Sequence, residues 1–429
     1  MGTVKVGIYL MMMGLALIIT LFLAVLSSAA DVSERLSGSR QKLLQKSNIE
    51  YLGAFRVPDG NYGCPNDTKC SFHYGGGPIA YNAVNNSLYV VGHRHNQWLA
   101  EINVPALVRS NNLGALNTAT IRQNFTDLTH GKIGNLGVGG AYIENGGQLG
   151  GLLLTGNRLL ASAYAYYDGS HQAYNTHFTA NADWSKNGAE FSGMKRIGVP
   201  PAPQAGYISG YMSKIPGEWQ AEFGGSAITG NSNLSIISRT SLGPAAFVFN
   251  PNEVDFTVDI AASPLVYYPP DHRTIGDFST ANPYANQTTK ITGVVFPEGS
   301  RSVLFFGRHG LNCCYGTGTS DAALVGKPAV NGGSGYCYDP ADDSKGTHGY
   351  PYVHQVWAYD ATDMLLVKNG TKKPWDISPY SVWTYELPFQ TGGRNILGAA
   401  YDPARQRIFI SQDHGEGNLP VIHVLQVLL

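Results

Sequence analysis

The sequence predicts an all-β protein built by repetition of a four-stranded unit, and three observations predict it. One strand–turn–strand motif recurs along the chain, each copy is followed by further strand-like segments, and no long helical periodicity occurs after residue 50. A unit of this size cannot bury its apolar face alone, so copies must pack side by side. Four-stranded units set radially make a β-propeller, which leaves only short sheet edges.

The copies, in order, are "GPIAYNAVNNSLYVVGH" from Gly77, "GLLLTGNRLLASAY" from Gly151, "GSAITGNSNLSIISR" from Gly225, "GVVFPEGSRSVLFFGRH" from Gly293 and "GAAYDPARQRIFISQDH" from Gly398. Outer strands follow each, such as "QWLAEINVP" and "ATIRQNF" after the first, or "HQVWAYDA" and "SVWTYELPF" after the fourth. The last copy supplies three strands, through "PVIHVLQVLL", so "IEYLGAFRVP" at 49–58 is expected to donate the fourth and close the ring. This makes five blades, with room for a sixth, degenerate one around residues 199–222.

The course from inner strand through turn to "LYV" resembles the blades of NHL-type and SMP-30-like propellers. Through "YLGAFRVP", "KGTHGYPYVHQVWAYD" and "AAYDPARQRIFIS", the chain after residue 49 is also similar to uncharacterised secreted bacterial β-propeller proteins. The resemblance implies the architecture and no activity, because propellers host unrelated functions.

Residues Val6–Ala30 carry no charge, follow Lys5 and end in small residues, as a signal peptide does; the run is also long enough for an uncleaved anchor. Residues 1–30 are thus leader or anchor, 31–48 a polar tether, and 49–429 the propeller, secreted or held at the cell surface. Any membrane contact is through the N-terminal segment. The formal net charge of −1, with Lys and Arg scattered, gives no footprint for nucleic acid. Five cysteines suit an oxidising compartment. Cys64 and Cys70 bracket a short loop and are expected to pair. Cys314 is expected to pair with Cys337, leaving Cys313 over, with Cys313–Cys337 as the alternative.

In three copies a histidine stands sixteen residues after the opening glycine, and aligning the others gives a column of His93, Tyr164, Arg239, His309 and His414. Ends of second strands converge at one mouth of a propeller channel. His93, His309 and His414 could there hold a divalent metal, zinc or manganese before calcium, with Tyr164 as proton donor or acceptor and Arg239 as an anion clamp. His95, Arg308 and Asp413 flank the column as ligand contacts, and Arg308 could pair with Asp413. The set resembles, in residue types only, propeller lyases that hold an axial metal with histidines. A repeat can also inherit a histidine that merely caps a strand end. His171 and His177 read as loop residues. Inner strands carry few acids, Asp402 and Glu222 being the best available, which counts against hydrolysis by paired carboxylates.

A cysteine-stapled insertion at 312–354 reads as a lid over the mouth, and its Asp339, Asp342 and Asp343 as a solvated acidic turn rather than a calcium site. No nucleophile elbow, phosphate loop, zincin motif or dinucleotide fingerprint occurs. The leading expectation is an exported binding or surface-structural module presenting a face to an extracellular glycan or protein, or to copies of itself. The alternative is a metal-assisted enzyme of polysaccharide-lyase type.

Overall fold

A computed structural model of the chain describes residues 41–64, 69–144, 146–198, 205–233, 240–256, 259–269, 272–330 and 335–429. The expected leader and most of the tether lie outside the described residues. Residues 41–48, read as the end of that tether, are docked instead: Leu44 is buried, its N–H donates to Ser302 Oγ at 2.8 Å, and its carbonyl accepts from Tyr380 Oη at 2.6 Å.

Among the described residues five antiparallel sheets of three or more strands follow one another in the expected order. After β1 (Ile49–Arg56), blade 1 runs β2 (Ile79–Asn82), β3 (Ser87–Val91), β4 (Leu99–Asn103) and β5 (Thr120–Thr126) from the inside outward. Blade 2 has β6 (Gly146–Thr155), β7 (Arg158–Ala165) and β8 (His177–Asn181), followed by a short helix α1 (Trp184–Asn187) and β9 (Arg196–Ile197). Blade 3 has β10 (Met212–Lys214), then helix α2 (Gly217–Phe223), then β11 (Ala227–Thr229); β12 (Ser232–Asn233) leaves to join blade 4, and β13 (Ala246–Phe249) continues blade 3. A parallel pair of β14 (Asp259–Ile260) with β9 links blades 2 and 3, and β15 (Ala262–Val266) ends blade 3.

Blade 4 has β16 (Lys290–Val295) and β17 (Ser302–Gly310), an insertion with its own sheet of β18 (Cys314–Thr319), β19 (Tyr336–Tyr338) and β20 (Lys345–His348), then β21 (Tyr352–Asp360), helix α3 (Ala361–Lys368) and β22 (Ser381–Tyr385). Blade 5 has β23 (Ile396–Asp402), β24 (Arg407–Glu416) and β25 (Leu419–Val427), and β1 is its outer strand, pairing antiparallel with β25 from Ile49↔Val427 to Arg56↔Val421. The donated N-terminal strand is therefore present.

Second strands such as "SLYVV" and "SVLFFGRHG" are buried along their whole length rather than alternating. Each sheet is covered on both faces by its neighbours, which demands apolar residues on both sides. Among the described residues an apolar core lies at each blade boundary: Tyr89 with Phe178, Leu160 with Phe247, Val248 with Trp357, Phe306 with Ile410, and Phe409 with Leu88. The last of these joins blade 5 back to blade 1.

The glycines opening the first two repeats have a packing reason. Inner strands lie side by side, β2 against β6, β6 against β10, β10 against β16, β16 against β23, and β23 against β2. A Cβ on Gly77 would overlap the carbonyl oxygen of Leu397, and one on Gly151 that of Gly210. Only glycine lets the backbones approach this closely.

Two expectations on architecture are corrected. Among the described residues no sixth blade occurs in 199–222; the described part of that stretch holds β10, the inner strand of blade 3, and α2, which follows it. "SAITG", read as the third inner strand, is the second, β11, because the inner strand has only three residues and a helix replaces the expected tight turn.

Candidate functional site: the axial pocket

The inner strands leave a pocket of about 810 Å³ whose wall draws on every blade. Gln97 comes from the first, Tyr164 from the second, Asn231 from the third, Lys290 from the fourth and His414 from the fifth. The volume is that of a small-molecule or oligosaccharide site. No residue of the 312–354 insertion lines it among the described residues; Asp339 of the insertion is buried at 2.7 Å from Tyr352 Oη and 2.9 Å from His348 Nδ1, fastening the insertion to blade 4.

The histidine column divides. His414 lies in an irregular stretch of β24 with φ +54°, a conformation that turns its side chain out of the ladder. Its Nδ1 is 2.6 Å from Asp413 Oδ1, and Asp413 is also held by Asn395 Nδ2 at 3.3 Å. His414 Nε2 has no hydrogen-bond partner among the described residues. His93, in the loop after β3, stands with its ring 5.9 Å from Tyr74, and Tyr74 is 5.9 Å from His414 on its other side. His95, exposed beside it, has its ring 5.2 Å from that of His93.

His309 does not join them. β17 stays paired with β21 through Gly310, so His309 remains inside the sheet, fully buried. Its Nδ1 meets Thr289 Oγ1 at 2.9 Å and its Nε2 donates to the Asn282 carbonyl at 2.7 Å; burial pushes its pKa down. Among the described residues no three His, Cys, Asp or Glu side chains stand where they could share a metal ion. Arg308 does not pair with Asp413; it donates to the Gly393 carbonyl at 2.8 Å and lies 4.2 Å over the Tyr352 ring. Arg239 falls outside the described residues.

Tyr164 lies on the pocket wall, its hydroxyl donating to Gln148 Oε1 at 3.2 Å. His171 also reaches the wall, whereas His177 is fully buried in β8 between Thr176 and Thr229, with its pKa pushed by burial to about 3. Asp402 is buried and accepts from Arg407 Nη2 at 2.9 Å. Both expected disulfides are present, Cys64–Cys70 and Cys314–Cys337, and Cys313 is free. They fit an oxidising compartment. No helix among the described residues is long and apolar enough to cross a membrane.

Among the wall residues not foreseen are Arg196, Tyr174 and Lys290. Arg196 is buried, lies 4.1 Å over the Tyr174 ring and donates Nε–H to the Gly198 carbonyl at 3.1 Å, leaving its terminal nitrogens for the pocket. Lys290 opens β16 directly opposite Arg308. Burial, and then the Arg308 charge, push its pKa from 10.5 to about 7, against a smaller upward pull from Asp342 and Asp413. A signal for it existed in the sequence. Inner-strand residues paired with the end of the second strand line the mouth, as Gln148 opposite Tyr164 and Lys290 opposite Arg308 both do.

Charge on the wall is unevenly committed. Both lining carboxylates are spent, Asp413 on His414 and Asp168 on the N–H groups of Gln172 and Ala173 at 2.7 and 2.9 Å. Arg94, exposed at the rim, and Arg196 remain to meet an anion.

Neither a family model nor a curated protein matches the chain. Among solved structures it is similar to the native arabinanase of Bacillus subtilis, at 8% identity and a TM-score of 0.41 over 87% of this chain and 96% of that one. It is similar as well to a luciferin-regenerating enzyme, at 9% identity and a TM-score of 0.35 over 88% and 94%. A third is the pyranose dehydrogenase PQQ domain of Coprinopsis cinerea, at 9% identity and a TM-score of 0.36 over 86% and 98%. Likeness at this level says nothing about activity. The NHL-type and SMP-30-like resemblance of the blades stays at the level of the propeller class.

Proposed function

We propose that the protein is an exported glycan-binding module whose axial pocket receives a short stretch of a carboxylated extracellular polysaccharide. One observation carries the reading: the pocket joins aromatic walls, Tyr164, Tyr174 and the half-exposed Tyr74 and Tyr166, to two guanidinium groups, while its own carboxylates are already engaged. Tyrosine rings cover the apolar faces of sugars and offer hydroxyls at their edges; Arg196, fixed against Tyr174, gives a pre-set donor pair for a carboxylate. Binding is preferred over a metal-assisted lyase because the ring nitrogens of His309 are spent inside blade 4.

The test is titration calorimetry with galacturonate, glucuronate and mannuronate oligomers against neutral oligomers of equal length. Saturable binding of at least one acidic series, weaker by tenfold or more for its neutral counterpart and in Arg196→Gln, is expected. Equal affinity for acidic and neutral chains, or no heat with any, would remove the reading.

A further inference from the structure

We propose that Lys290 is a covalent attachment point: its amine forms an imine with the keto group of a small 2-oxo acid that enters the axial pocket. The proposal goes beyond glycan binding and does not rest on it. Three features of geometry carry it. Lys290 is the lysine of the pocket wall, partly buried at the head of inner strand β16. Its ammonium has no hydrogen-bond or ion-pair partner among the described residues, although every carboxylate on the wall has found one. It also stands in register with Arg308, a buried cation on the next strand.

Desolvation and a neighbouring cation are the two means by which a lysine is made nucleophilic near neutral pH. They act together here and bring the amine to about pKa 7, with Asp342 and Asp413 the charged groups that oppose them. At pH 7 about half of such an amine is neutral, roughly a thousandfold more than of an ordinary lysine. Lower basicity makes each neutral amine a weaker nucleophile, so the net advantage is smaller, and tenfold is a conservative expectation.

The chemistry balances without a redox partner. The nitrogen lone pair attacks the carbonyl carbon and the C=O π pair moves to oxygen, giving a carbinolamine. Both amine protons then leave with that oxygen as water while the C=N bond forms. His414, on the same wall with Nδ1 held by Asp413, has Nε2 left to pass those protons. Arg94 and Arg196 supply the charge that selects a keto acid over a neutral carbonyl compound.

The experiment treats the full-length chain with pyruvate and sodium cyanoborohydride at pH 7 and maps the reduced adduct by peptide mass spectrometry, with hydroxyacetone as the uncharged comparison. Expected is an adduct on Lys290 at least tenfold above that on any other lysine, several-fold weaker with hydroxyacetone, and rising in rate between pH 6 and 8. Lys290→Arg should lose it; because the wild-type map alone locates the adduct, a variant that fails to fold does not impair the test. Labelling spread over exposed lysines with Lys290 unmodified would overturn the proposal, and equal labelling by both probes would overturn the preference for an acid.

Discussion

Truncating Phe55 to alanine tests whether the N-terminal strand is an integral part of blade 5. Phe55 is fully buried, pairs with Ile422 across the β1–β25 ladder, and packs in the core shared by blades 5 and 1. The neighbouring Ala54 also exchanges backbone hydrogen bonds with Val108 at 3.0 and 3.2 Å, so the strand is held on both edges and cannot slide to fill a void. Removing a buried phenyl ring costs the transfer of its carbons plus the cavity left, about 3–5 kcal/mol. The assay is guanidinium denaturation followed by tryptophan fluorescence. Phe55→Ala should lower the midpoint at unchanged slope, whereas Glu50→Ala, on the exposed side of the same strand, should stay within about 0.5 kcal/mol of wild type. A loss below about 1 kcal/mol for Phe55→Ala would refute the reasoning, because a strand that peels away from an intact propeller contributes nothing to its global stability.

Other outcomes follow from the buried polar groups. Asp402→Ala leaves Arg407 without its carboxylate and should cost about 3 kcal/mol in the same assay, most of it recovered as coupling in a cycle with Arg407→Ala. Buried His177 and His423, with pKa values lowered by burial to about 3, and His354, lowered to about 4, bind protons more readily unfolded than folded. Their contribution is complete above about pH 6.5 and is lost as pH falls toward 4, roughly 2 kcal/mol each by pH 5. His354 has no partner on either ring nitrogen among the described residues and stacks on Tyr385, so His354→Phe should fold and should flatten the acid limb by that amount; an unchanged slope would contradict the assignment. Replacing Cys314 and Cys337 by serine opens a 23-residue separation, for which chain entropy predicts a loss of about 3 kcal/mol confined to the insertion. Hydrogen exchange should rise over 314–348 while axial glycan binding is kept.

Most of the architecture was legible because blade strands are continuous apolar runs opened by a glycine, and both signals survive in a single sequence. The third copy was misphased because β10 is three residues long and α2 stands where a turn was expected, so the pattern locked onto β11. The site was legible only in part. Sequence spacing placed His93, His309 and His414 in one column, but side chains alternate across a strand, and local geometry at the strand end decides which face each meets. The positive φ at His414 sends it to the axis; the unbroken ladder of β17 keeps His309 in the sheet. Lys290 and Arg196 were missed because their role comes from which strands converge, a three-dimensional fact that no local motif records.

The most direct test of the central claim, that ligand binds on the axis and touches all five blades together, is hydrogen exchange measured with a saturating acidic oligosaccharide. The account predicts simultaneous protection at 92–97, 163–175, 209–211, 290–292 and 395–397, with the 312–354 insertion unchanged. Protection confined to the insertion or to the outer strands would contradict it.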